Sequence, residues 1–321
     1  MTLPAVSVLL PVRDGARHLP EALASLDAQT YRDFEVIVVD DGSEDDSASI
    51  AEARGACVLR QGREGLVAAL ERGRAAARGR YVARMDADDV ALPERLALQV
   101  AALEEEGLDA CGGGVEYFPR ATDGARRYAR WLNGLVTPEL AARDVFVECP
   151  LPHPTLVARR ELVAYRDCGW PEDYDLVLRL WARGARFRNV EQLVLRWRDR
   201  PGRLTRTDPR YSQEAFVRCK VHHLRRTLLR GRRGALVWGA GPVGKSFGRE
   251  LGADLLAFVE VDPRKLGKRI YGAPVVQVDE APRFGDALWL GAVAGEEARE
   301  RIRTEVAAHG RRELEDFVAV A

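Results

Sequence analysis

Asp86-Ala87-Asp88-Asp89 places three carboxylates within four residues. They follow an apolar run over residues 81–85 that reads as a strand, and they precede a helix expected from about Pro93. Like charges this close repel one another and make poor structural glue. They make sense as oxygen ligands of one divalent cation, because hard cations prefer carboxylate oxygens. Phosphate oxygens commonly complete such a shell, so the first expectation is a metal–diphosphate site. Two further acid pairs carry possible chemistry. Asp40-Asp41 closes the apolar run 34–39 and is followed by Gly42-Ser43, where Ser43 and Asp46 read as a capping box. Glu172-Asp173 opens a segment with Leu176, Leu180 and Trp181 on one helical face, ended by Gly184.

The elements that position these acids alternate. Residues 6–10 are a continuous apolar run, as in a strand buried on both faces, and Pro11 is expected to end it. Leu19, Leu23 and Leu26 mark a helix with Pro20 in its first turn. Residues 34–39 form a second strand and 57–59 a third. Leu66, Ala69, Leu70, Gly73 and Ala76 line another helix before the strand at 81–85. Strand–helix alternation at this spacing predicts an α/β fold with a mostly parallel sheet sandwiched by helices. Ligands of such sheets sit at the carboxyl ends of the strands. Pro11, Asp40-Asp41 and the Asp86 cluster all fall there. The middle of the chain is less regular: loop then strand over 149–160, a strand at 192–197, a loop with five arginines over 198–210, and a helix over 216–229.

The 321 residues suit two domains. Hydrophobic residues make up 46% and charged residues 31%, which is globular composition. Lys+Arg equals Asp+Glu at 49 each, so bulk charge leaves no footprint for nucleic acid. No apolar run approaches the ~20 residues that span a bilayer, and the first residues lack a signal-like core. The expectation is a cytoplasmic protein, at most resting on the inner face of a membrane. Five scattered cysteines without a CxxC pair argue against a disulfide framework and against zinc. Nothing in the sequence fixes an oligomeric state.

The motifs together resemble a known family. Val6-Ser7-Val8-Leu9-Leu10-Pro11, Val38-Val39-Asp40-Asp41-Gly42-Ser43, Asp86-Ala87-Asp88-Asp89 and Pro171-Glu172-Asp173-Tyr174-Asp175-Leu176 are similar, in order and spacing, to the family-2 inverting glycosyltransferases of the GT-A fold. The resemblance spans roughly residues 5–210. It implies transfer of a sugar from a nucleoside diphosphate donor, uridine-linked as first choice, to a hydroxyl of a glycan or lipid-linked saccharide. It assigns Asp41, with Asp40, to the base and ribose and Asp86 to the ribose. It gives Asp88 to Mg²⁺ or Mn²⁺, with Asp89 in or behind the shell, and Asp173 to the general base that takes the acceptor proton. Asp175 is expected to be structural, and His153 incidental. Two positions depart from the family. Arg200 stands where many relatives keep a metal-ligating histidine, and Glu71 where many keep an asparagine. Arginine cannot ligate a cation but can clamp phosphate, so Arg198, Arg200, Arg203 and Arg206 become diphosphate candidates.

A second unit begins at Ala235. Residues 235–238 read as a strand, and Gly239-Ala240-Gly241-Pro242-Val243-Gly244 fits G-x-G-x-x-G at the start of a helix. Glu260 lies 21 residues beyond Gly239, near where a dinucleotide fold keeps its ribose acid. Gly239, Gly241 and Gly244 are therefore candidates to cradle a nucleotide or nucleotide-sugar phosphate. The unit resembles small Rossmann-like modules found beside sugar-modifying enzymes, with no partner for hydride transfer. The domains are expected at 1–230 and 231–321. A basic segment between Arg218 and Arg233 reads as a solvated helix face, with contact to anionic lipid as the alternative. Two rivals remain for the whole chain. A nucleotidyltransferase would release pyrophosphate, and Pro11-Val12-Arg13-Asp14-Gly15 is a poor version of its loop. A non-catalytic sugar-nucleotide binder would show no turnover.

Overall fold

The computed structural model describes residues 3–321, and the chain divides into two compact units. The first holds the chain through Ala142, with Pro150–Cys168 and Asp175–Arg206; the second holds Arg143–Cys149, Gly169–Tyr174 and Thr207–Ala321.

The first unit is built on eight strands: β1 (Val6–Val12), β2 (Phe34–Asp41), β3 (Cys57–Gln61), β4 (Tyr81–Arg84), β5 (Val90–Ala91), β6 (Ala110–Phe118), β7 (Val157–Arg159) and β8 (Phe187–Arg198). Their order is β3-β2-β1-β4-β7-β6-β8-β5. β1 runs parallel to β2 and β4, and β2 parallel to β3. β7 is antiparallel to both β4 and β6, so β4 and β6 point the same way, and β8 runs parallel to β6. The carboxyl ends of β1, β2, β4, β6 and β8 therefore share one edge. Val6, Val8, Leu10 and Val38 on the strands pack against Leu19, Leu23, Leu96 and Leu103 from the flanking helices in a single core.

β1 does not stop at Pro11 but continues to Val12. Leu9 accepts the Met85 amide on the β4 side, and Pro11 has the same parity. Pairing with β4 ends at Leu9↔Arg84, so the missing Pro11 N–H costs no ladder bond. The expected capping box is also absent. The helix Ser47–Ala53 starts later, and the Ser43 hydroxyl instead accepts the Asp14 amide at 3.0 Å. Of the cysteines, Cys111, Cys149 and Cys219 are buried, Cys168 is intermediate and Cys57 is exposed; all five are free thiols.

The second unit carries a six-stranded sheet: β9 (Ala235–Trp238), β10 (Leu255–Val259), β11 (Arg269–Ile270), β12 (Ala273–Val276), β13 (Leu288–Gly291) and β14 (Phe317–Ala319), in the order β11-β12-β10-β9-β13-β14. All its pairings are parallel except β11 with β12. The basic helix Gln213–Arg226 belongs to this unit. Its Lys220 is buried and donates to the Val147 and Val320 carbonyls at 2.8 and 3.0 Å, and Arg225 pairs with Asp254 at 2.8 Å. Part of the basic segment is thus structural and not a solvated face.

Candidate active site

β4 delivers the acid cluster. Its buried strand ends at Arg84, and the chain turns outward to place carboxylate oxygens of Asp86, Asp88 and Asp89 within 4.8 Å of one another. Each acid has a different partner. Asp86 pairs with the buried Arg84 guanidinium at 2.7 Å. Asp88 accepts from Arg200 Nε at 2.5 Å. Asp89 is buried and accepts the Arg198 amide at 2.7 Å through Oδ1, while its Oδ2 is buried with no hydrogen-bond partner. Burial, with the charges of Asp86 and Asp88 beside it, pushes the Asp89 carboxyl well above its ordinary pKa. Below the cluster, the fully buried Arg95 donates to the Arg84 carbonyl at 2.6 Å and to Gln99 at 3.1 Å. Burial lowers its pKa to about 10.

The donor set fits a hard divalent cation. It is all carboxylate, its oxygens converge, and one buried oxygen is left unsatisfied, a cost that a cation would remove. Asp88 and Asp89 are the residues that would hold it, with Asp86 beside them.

β2 brings Asp40 and Asp41 to the same edge, both buried. Asp40 accepts one N–H, from Ser43 at 3.0 Å, and keeps lone pairs for a ligand. Asp41 is busier. It accepts from Gln61 Nε2 and Glu64 N at 2.8 Å and from Gly65 N at 3.0 Å, so it pins residues 61–65 against the site.

β8 supplies the arginines. Its end crosses the cluster, with Arg198 Nε donating to the Asp88 carbonyl at 2.6 Å and its guanidinium also pairing with Glu21. Arg206 pairs with Asp199 at 2.5 Å, and Arg203 lies over the Trp197 ring at 4.5 Å. Arg198 and Arg200 both touch the acid cluster. His153 is buried, and its Nε2 lies 3.0 Å from the Tyr165 hydroxyl; burial and the Arg84 charge hold it well below its ordinary pKa. Glu71 accepts the Tyr165 amide at 2.5 Å and Arg74 at 2.9 Å. It is a brace for the 165 segment. Sequence reasoning missed Arg84 and Arg95. For Arg84 a signal was available, since an arginine in a strand as apolar as β4 must find an anion or carbonyl; Arg95, the first residue of the helix Arg95–Glu105, offered none.

In the second unit, Glu172 and Asp173 begin the helix Glu172–Ala182. Glu172 is buried and accepts the Tyr211 hydroxyl at 2.7 Å. Asp173 is half-buried, and its Oδ1 accepts the Tyr174 amide at 2.7 Å. Burial, then Glu172 and Asp173, raise the Tyr211 pKa. Asp175, on the first unit's part of the helix, is fully buried between Arg166 at 2.7 Å and Arg179 at 2.8 Å, and is structural.

The glycine loop follows β9. Gly239 has φ of +108°, and a Cβ on Gly244 would meet the Gly239 carbonyl oxygen at 1.7 Å, so both positions require glycine. Gly241 faces open space. Glu260 takes the loop's Ala240 amide at 3.0 Å and the Lys265 ammonium at 2.8 Å, with the Val261 and Asp262 amides on its other oxygen. It closes the loop internally where a ribose acid was expected.

Residues 7–164 match the family description Glycosyl transferase family 2. The chain is 31% identical over 211 residues to EpsE of Bacillus subtilis (strain 168), named as a glycosyltransferase, across 61% of this chain and 73% of EpsE. It is 30% identical over 153 residues to glycosyltransferase AglE of Haloferax volcanii, across 45% of this chain and 50% of AglE. Among solved structures, S. aureus TarS 1-349 in complex with UDP-GlcNAc superimposes with a TM-score of 0.56 at 17% identity, over 77% of this chain and 72% of that one. Glucosyl-3-phosphoglycerate synthase from Mycobacterium tuberculosis, bound to Mn²⁺, UDP and glucosyl-3-phosphoglycerate, gives 0.50 at 24% identity, over 68% and 80%. Fold and acid cluster define the class, a glycosyltransferase of the GT-A fold. The chain belongs to glycosyl transferase family 2.

Proposed function

We propose that this glycosyltransferase moves a sugar from a nucleoside diphosphate donor to an acceptor hydroxyl, with inversion and with help from a divalent cation. The observation that carries this reading is the convergence of three carboxylates at the end of β4, one with a buried oxygen lacking a partner. UDP-GlcNAc in the TarS structure, and UDP with Mn²⁺ in the synthase structure, support a uridine diphosphate donor. A bound divalent cation would supply Lewis-acid stabilisation of the charge that grows on the departing diphosphate.

The chain's own residues do the rest. Asp40 receives ribose hydroxyls, and Asp41 holds residues 61–65 beside the base. Asp86, steadied by Arg84, faces the ribose; Asp88 and Asp89 would offer a cation their oxygens. Arg198, fixed by Glu21 and the Asp88 carbonyl, sets the cluster's outer wall, and Arg200 exchanges Asp88 for a diphosphate oxygen when donor arrives. Asp173 takes the acceptor proton as the acceptor oxygen attacks the anomeric carbon; Glu172, occupied by Tyr211, is the poorer base of the pair. Gly239, Gly241 and Gly244 shape a loop for a phosphate-bearing ligand of the second unit. The test is product analysis with UDP-sugars. Release of UDP with inverted anomeric configuration supports the reading, and pyrophosphate release would favour a nucleotidyltransferase instead.

A further inference from the structure

A hollow of about 640 Å³ lies between β6 and the helix Asp123–Asn133, in the first unit and outside the acid cluster. That volume falls within the usual range of small-molecule sites. Its wall on the helix is a stripe, because Arg126, Arg130 and Asn133 stand at i, i+4 and i+7 and so share one face. Arg120 joins them from the loop after β6. Asn133 is no free donor: it clamps the Val115 amide and carbonyl at 2.9 and 3.0 Å and so fixes the helix on the strand. The Thr122 hydroxyl caps the helix through the Ala125 amide at 3.1 Å.

The charge on this wall is not balanced. Glu116, the one acid of the lining, is turned to Arg196 at 3.3 Å. Arg126 holds Asp123 at 2.8 Å. Among the described residues, Arg120 and Arg130 have no ion-pair partner. Arg126 and Arg130 are exposed like charges one helical turn apart, a small unfavourable pairing that a bound anion would offset. Guanidinium groups in this arrangement suit the oxygens of a phosphate ester.

The topology puts the hollow on the working edge. β6 points the same way as β4, so its last residues and the acids after β4 lie at one end of the sheet. The end of β6 also packs against β8 beside the acid cluster. Phe118 ends β6 with the Arg198 guanidinium 4.3 Å over its ring, and Arg198 binds the Asp88 carbonyl. Tyr117, in the hollow's lining, stacks on Trp197 at 5.1 Å.

We infer that this hollow binds a phosphate group carried by the acceptor, so that the acceptor of this enzyme is a phosphate ester and not a neutral glycan. The inference rests on the glycosyl-transfer reading above. Arg120 and Arg130 are the binding residues, and Arg126 assists while shared with Asp123.

The test is calorimetric titration of the full chain with glycerol 3-phosphate, and co-sedimentation with phosphatidylcholine vesicles with and without phosphatidic acid. Arg120→Gln/Arg130→Gln is the comparison, with Arg130→Lys as the charge-retaining variant. Wild type is expected to bind at least one phosphate source. The double variant should lose about tenfold or more in affinity, and Arg130→Lys should keep most of it. Binding of glycerol 3-phosphate indicates a soluble phosphorylated acceptor. Binding only of phosphatidic acid vesicles indicates a lipid-held phosphate. UDP binding with Mn²⁺ should be the same in all variants, which also reports that they fold. If wild type binds neither source, or the double variant binds as well as wild type, the inference is overturned. Loss of UDP binding in wild type would instead strike the donor site and leave the phosphate isotherm to stand alone.

Discussion

Asp88 holds a guanidinium where the family reading wants a metal ion, and this single contact shapes the chemistry expected of the site. Arg200 is about half exposed, so its pair with Asp88 is worth roughly 0.2–1 kcal/mol. A cation binding to the nucleotide-free enzyme must displace it. Arg200→Ala should therefore tighten Mn²⁺ binding by about two- to fivefold when no nucleotide is present. It should weaken UDP binding, both read by calorimetry. Asp173 is tested by kinetics. Asp173→Asn should lower turnover by about a hundredfold or more with the donor dissociation constant unchanged. An unchanged turnover would move the base elsewhere. The acids of this site were legible from the sequence because carboxylates clustered at strand ends have few structural uses. Their partners were less so: Arg84 lies only two residues from Asp86, but Arg95 and Tyr211 reach the Arg84 carbonyl and Glu172 across 11 and 39 residues, contacts that the fold makes and no residue pattern encodes.

The strands that carry the acids could be read from their apolar runs, since β1, β2 and β4 are buried on both faces. β6 could not. Its Gly112-Gly113-Gly114 breaks any apolar run, yet these residues form a strand beside β8, with the register shifting at Gly114. The glycines are there because nothing larger fits. A Cβ on Gly113 would sit 2.4 Å from Val194 Cγ2, and one on Gly112 would sit 2.2 Å from Asn189 Oδ1. Gly113→Ala should cost about 1–3 kcal/mol through overpacking, read from the urea midpoint. Because β6 and β8 carry Phe118 and Arg198, donor affinity should fall with it. Only residues 192–197 of the longer β8 stood out because Arg188, Asn189 and Glu191 interrupt the apolar pattern of its first half.

At the scale of the molecule, the balance of charge hides local asymmetry. Equal numbers of basic and acidic residues coexist with an acid cluster after β4 and a basic hollow beside β6. Among the described residues, no helix is long and apolar enough to cross a membrane. Stability should carry a pH dependence from His153. Burial and Arg84 keep it neutral in the folded first unit, with a pKa well below 6.5, whereas the unfolded chain protonates it near that value. The unfolded state thus binds more protons in the window below about pH 6.5, so stability is complete above it and declines as pH falls through it. Urea midpoints between about pH 7.5 and 5 should show this slope, and His153→Gln should flatten it. The second sheet was anticipated from the strand at 235–238 and the glycine loop. The internal use of Glu260, by contrast, depends on Lys265 and the Ala240 amide closing on it, which spacing alone does not reveal.

The central claim is that the acids after β4 gather a divalent cation and the diphosphate of the donor. Calorimetric titration of UDP into the wild-type chain and into Asp88→Ala, each with Mn²⁺ and with chelator, tests it directly. The account predicts that wild type binds UDP tightly only with Mn²⁺, and that Asp88→Ala binds it weakly and equally under both conditions. UDP binding by wild type that is indifferent to chelator, or a metal dependence that survives Asp88→Ala, would contradict it.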